Sequence, residues 1–143
     1  MPRPSANAAK RTRRPDRRGS TCVEFAMTAS VLIVLFFGLL EVARFHMVRH
    51  TLDQAAYEGA RAGIVPGASS ADVQAQVDSL LAAVGVRNAT VSITPTDFTQ
   101  AASQVSVLVQ ANYGDNSWAS DRFFKGVTLS GQATLDRETA AVN

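Results

Sequence analysis

A few side chains are of types that could do chemistry. Glu24 stands at the edge of an apolar run, five residues after Gly19. An ionisable group beside a bilayer is costly and marks a functional position by default. A carboxylate at the interface near a helix amino end, favoured by the helix dipole, explains it equally well, and both readings stay open. His46 and His50 lie four residues apart, a spacing that can hold a metal on a helix. No His-Glu-x-x-His pattern surrounds them, and a polar, water-facing pair is the better reading. Cys22 is the one cysteine, so no intramolecular disulfide forms. Lipidation occurs at such membrane-flanking thiols, but a small residue on a membrane helix is the favoured reading. Asp97, Asp115, Asp121 and Asp136 lack the spacing of a calcium loop. There is no nucleophile elbow, phosphate loop or Cys/His cluster. The chain is therefore expected not to be an enzyme and to need no cofactor and no metal.

The elements that position Glu24 come next. Phe25 to Leu40 is sixteen residues without a charge. A buried core helix of that length would show a polar face, and here only Thr28 and Ser30 are polar. A cleaved secretory signal would end in a small-x-small site, whereas Leu40-Glu41-Val42-Ala43-Arg44 follows. A spanning helix needs about 20 apolar residues. Val42, Ala43, Phe45, Met47 and Val48 extend the apolar character. Glu41 and Arg44 are spaced to pair with each other, and Arg44 can snorkel to the outer surface. A single spanning helix, amino end inside, is the reading these features favour.

The net charge of +2 hides an asymmetry. Residues 1–19 hold seven basic groups and one acid, so +7 − 1 = +6; residues 20–143 hold seven and eleven, so +7 − 11 = −4. The tail lacks apolar periodicity and is predicted to be disordered. A basic arm on nucleic acid and a twin-arginine signal are both weaker readings than a flank that keeps this end in the cytoplasm. Without the tail the remainder is mildly acidic, which removes the main support for nucleic-acid binding.

These residues resemble a family. Arg17-Arg18-Gly19-Ser20-Thr21-Cys22-Val23-Glu24-Phe25-Ala26 leads into the apolar run. The run ends Phe37-Gly38-Leu39-Leu40-Glu41-Val42-Ala43-Arg44, and Ala55-Ala56-Tyr57-Glu58-Gly59-Ala60-Arg61-Ala62-Gly63 follows. The order is similar to that of the TadE-like family, minor pilins or pseudopilins of tight-adherence (Flp-type) pilus systems with a type IV prepilin-like amino terminus. Cys22 departs from the small non-thiol residue often found there. The resemblance implies cleavage between Gly19 and Ser20 by a prepilin peptidase, with Arg17 and Arg18 as the leader anchor. It implies that Ser20, Glu24 and Phe25 serve assembly, Glu24 pairing with the new amino group of a neighbouring subunit. Gly19 leaves the backbone open to a protease, and a buried carboxylate needs such a partner. The implied partners are the peptidase, other pilin or pseudopilin subunits, the inner-membrane assembly platform and the membrane. The implied location is the cytoplasmic membrane, single-pass, with the carboxyl-terminal domain outside. The alternative is a signal-anchored extracytoplasmic binding protein without a filament role. An exported enzyme is a third class and lacks a catalytic set.

Past the membrane, Phe45, Val48, Leu52, Ala55, Ala56, Gly59, Ala60 and Gly63 recur at helical steps. One helix is expected from near Glu24 to about Ala62, ended by Gly63 to Gly67 with Pro66. Ser69 or Ser70 with Asp72 offers a capping box, and Val73, Val77, Leu80, Leu81 and Val84 continue as a helix to Gly85. Alternation then marks strands at Val91 and Ile93, at Val105 to Ala111, and at Val127 to Leu135. The expected fold is α+β and pilin-like: a long amino-terminal transmembrane and stalk helix, a second short helix, and a three-stranded, mostly antiparallel sheet covered by the stalk. The expected segments are a basic leader at 1–19, the transmembrane and stalk helix at 20–64, and a small domain at 65–143. Trp118, Phe123 and Phe124 are expected to plug the core; the other reading, with Arg122 and Lys125 beside them, is a patch for a partner subunit.

Overall fold

A computed structural model describes residues 17–96, 103–118 and 124–137. The leader up to residue 16, Asp97, Asp121, Arg122 and Phe123 lie outside the described residues, as do the side chains of Arg17 and Arg18. The elements are helix α1 (Arg17–Gly63), helix α2 (Ser70–Val84), and strands β1 (Ala89–Thr94), β2 (Gln104–Asn112) and β3 (Thr128–Asp136), with a 3-10 turn at Gly114–Asn116. This is the expected α+β plan. Helix α1 starts about two turns before the expected point. From Arg17 the sequence meets no proline until Pro66, so nothing breaks the helix at Gly19.

The chain divides into two compact units, Met1–Phe36 and Phe37–Asn143. In the first, α1 exposes large apolar side chains on every side: Phe25 is 74% exposed and Val34 72%. The two polar side chains of the run from Phe25 to Phe36, Thr28 and Ser30, are satisfied inside the helix. Thr28 Oγ1 donates to the Glu24 carbonyl at 2.9 Å, and Ser30 Oγ to the Ala26 carbonyl at 2.8 Å. The stretch thus offers its surroundings almost pure hydrocarbon, the condition for sitting in lipid. It is the one helix, among the described residues, long and apolar enough to cross a membrane.

In the second unit, the rest of α1 and helix α2 pack on a sheet of order β1-β2-β3, antiparallel throughout. Alternation in β2 buries Val105, Val107, Val109 and Ala111, which meet Val48, Leu52, Ala55, Ala56 and Ala60 of α1 and Val73, Val77 and Leu81 of α2 in one core. Small residues on α1 let it come close. A Cβ on Gly59 would lie 2.6 Å from Val77 Cγ2, and one on Gly131 of β3 would collide with the Leu52 carbonyl. Helix α2 has the expected box: Asp72 N donates to Ser69 Oγ at 3.3 Å, and Ser69 N to Asp72 Oδ2 at 2.9 Å. Gly85 ends it in the left-handed region, φ 68°, where a side chain would be strained.

Phe124 is partly buried against the core, as expected. Trp118 is not a core plug: it is 68% exposed. Its backbone is tied down while its indole faces outward, so the loop holds the ring at the surface.

Candidate functional site

The amino-terminal set lies on successive turns of α1. Gly19, Ser20, Glu24 and Phe25 are all exposed. Ser20 and Glu24 are four residues apart and share one helix face, about one turn from each other. Gly19 precedes Glu24 by five residues and falls on another face. A Cβ on Gly19 would meet nothing within 4 Å, so packing within the chain gives no reason for glycine there. Arg17 and Arg18 open the same helix.

A second cluster lies where α1 enters the folded unit. Glu41 is 8% exposed. Tyr113, the residue that follows β2, donates its hydroxyl proton to Glu41 Oε1 at 2.5 Å; the Glu41 backbone carbonyl is also near, at 3.1 Å. One proton cannot serve both, and the shorter carboxylate contact takes it. The Trp118 backbone N–H donates to Glu41 Oε2 at 3.2 Å. The Tyr113 side chain is fully buried, edge-on to Phe45 and Phe124 at 5.0 and 5.1 Å between ring centroids. Burial first, then the hydrogen bond and the charge of Glu41, push its hydroxyl well above the usual phenol range.

Arg44, one turn further on, is buried rather than snorkelling. Its Nε donates to the Asn116 carbonyl at 3.2 Å, Nη1 to the Val84 carbonyl at 3.1 Å and Nη2 to the Gly85 carbonyl at 3.2 Å. Val84 and Gly85 close α2, whose last carbonyls have no partner in the helix and carry its negative end. A guanidinium suits that position because its donors fan out in a plane. Asn116 completes the join: its Oδ1 accepts from Arg87 N at 2.8 Å, and its Nδ2 donates to the carbonyls of Asn112 and Arg87 at 2.9 and 3.1 Å. The expected pairing of Glu41 with Arg44 thus gives way to partners on other elements. Helical spacing showed that the two share a face; it could not show that Tyr113 and the end of α2 arrive there. A lone Tyr-Gly-Asp-Asn run after a strand was the available signal, and it is weak.

His46 and His50 are exposed and stack at 6.4 Å. Among the described residues no three His, Cys, Asp or Glu side chains gather where they could hold a metal. Cys22 is an exposed free thiol. The second cluster satisfies its own polar atoms, and its chemistry is that of a joint between α1 and the domain.

No curated protein and no solved structure gives a significant match to the chain. Residues 19–61 match the model of the TadE-like protein family; the matched segment holds Gly19, Glu24, the uncharged run from Phe25 to Leu40 and the rest of α1 as far as Arg61.

Proposed function

We propose that the chain is a TadE-like minor pilin or pseudopilin, a single-pass membrane subunit cut after Gly19 by a prepilin peptidase and acting in tight-adherence pilus assembly or secretion. It is a structural subunit and not an enzyme, with its amino end in the cytoplasm and its folded unit outside. The observation that carries this reading is the TadE-like match beginning at Gly19, joined to an acid at Glu24 on an otherwise apolar, exposed helix. The glycine supports it, since the fold itself has no use for one at 19. The bond between Gly19 and Ser20 lies in the first turn of α1, where helix bonds are fewest and opening costs least. After cleavage, Ser20 becomes an ammonium on the same face as Glu24. That carboxylate then has a cation within reach on its own chain or on a neighbouring subunit.

Intact mass of the purified chain, with and without co-expressed prepilin peptidase, tests the reading. The expected product begins at Ser20 and appears only with the peptidase. A chain that keeps residues 1–19 in its presence, or begins beyond residue 43, overturns the processing step. Glu24→Ala should be cut normally yet recover fewer partner subunits; unchanged recovery favours the signal-anchored binding protein.

A further inference from the structure

The uncharged run is short for its task. Phe25 to Leu40 spans ~24 Å at 1.5 Å per residue, against a hydrocarbon core of ~30 Å. Glu41 and Arg44 would ordinarily end it. In the fold both are almost wholly covered: the Glu41 carboxylate accepts from the Tyr113 hydroxyl and the Trp118 backbone N–H, leaving Glu41 8% exposed, and Arg44 is spent on carbonyls. What α1 exposes after Leu40 is Val42, 54% exposed, and Ala43. The outward side chains of α1 thus stay free of charge from Phe25 to Ala43, ~28 Å, which matches the core. His46 is the next exposed polar residue.

At this level Phe37, Leu40, Glu41 and Trp118 line an open groove of about 410 Å³ whose walls are mainly apolar. Trp118 is held there by its backbone N–H bond to Glu41 and by the Arg44 guanidinium, 5.7 Å from its ring centre. Indole rings favour the boundary between headgroup and acyl chain, having an apolar body and one N–H donor.

We propose that this groove is a lipid seat: Trp118 lies at the headgroup–acyl boundary and an acyl chain fills the space against Phe37 and Leu40. Lipid is the occupant because Phe37 and Leu40, the groove's apolar wall, belong to the end of the uncharged run that the proposed crossing places in lipid. The inference rests on α1 crossing the membrane, as proposed above. Trp118 is then a membrane contact of the chain in addition to α1.

Trp118 is the chain's one tryptophan, so its emission reports on this site alone. The full-length chain is reconstituted in phosphatidylcholine vesicles, with or without lipid brominated near the headgroup end of the acyl chain. Flotation comes first, and a chain that fails to float with the vesicles overturns the membrane reading itself. In chains that float, emission should fall about two-fold in the brominated lipid and resist iodide, as for an indole at the boundary. Quenching by iodide as strong as for free tryptophan, without an effect of brominated lipid, overturns the lipid seat alone. Shielding from both quenchers that gives way to lipid quenching only on dilution assigns the groove to a second copy and also overturns it.

Discussion

At the scale of single residues, the buried hydroxyl of Tyr113 and the missing side chain of Gly131 are the most exposed to test. Tyr113→Phe keeps the ring and removes the hydroxyl that donates to Glu41 Oε1. Losing this charge-assisted bond should cost about 1–3 kcal/mol, measured by denaturant unfolding of the full chain in detergent. Because the folded protein raises the Tyr113 pKa, the folded state holds its proton longer than the unfolded chain does. That contribution is complete below the unfolded value of about 10 and is lost as pH rises above it, so stability should fall in alkali, and less steeply in Tyr113→Phe. Gly131→Ala drives a methyl group into the Leu52 backbone, which cannot give way as a flexible side chain would. A loss of about 1–3 kcal/mol or more is expected, whereas Gly38→Ala, with open space at its Cβ, should stay within about 0.5 kcal/mol. Equal effects at the two glycines would show that the close crossing is absent.

At the scale of elements, the two ends of α2 are held by different means. Ser69 and Asp72 close the first turn, and Gly85 and Arg44 the last. Ser69→Ala should cost about 1 kcal/mol in the same unfolding measurement. The Ser69 side chain and backbone bonds lower the Asp72 pKa, so its contribution is present above the ordinary carboxylate value and fades as pH falls through the folded one. Loss of Ser69 should therefore flatten the acid limb of the stability profile. The caps, both helices and all three strands were legible in the sequence, because Ser69, Asp72 and Gly85 act locally and alternation in β2 repeats every second residue. The joint at Glu41 was not. Its partners stand 72 and 77 residues away, and no local pattern announces contacts at that separation. Trp118 was misplaced for a similar reason: an aromatic in a loop reads as core until the loop's anchor is known.

At the scale of the whole molecule, charge and apolar surface are segregated along the chain. Removal of residues 1–19 takes away +6, so a net charge of +2 becomes −4 in side-chain terms. Under the proposed cleavage the mature protein should focus on the acidic side, well below the pI of about 9.1 of the full sequence. A product that still focuses in the basic range would keep its leader. The segment that matches TadE-like proteins, residues 19–61, lies in the helix after these charges, whereas the sheet and α2 lie beyond it. One of the ties between the two parts is the crossing of α1 over β3, and it reaches beyond stability. Gly131 lies opposite Val109, and it is the one residue in β3 without a Cβ. A slip of β3 by one residue would turn its apolar side chains to the other face. A slip by two would keep the faces but bring Leu129 or Ala133 beneath the Leu52 carbonyl, where neither fits. The helix therefore acts as a gauge for strand pairing: in the folded unit β3 fits beneath it in a single register, and a missing side chain is the mark of that register.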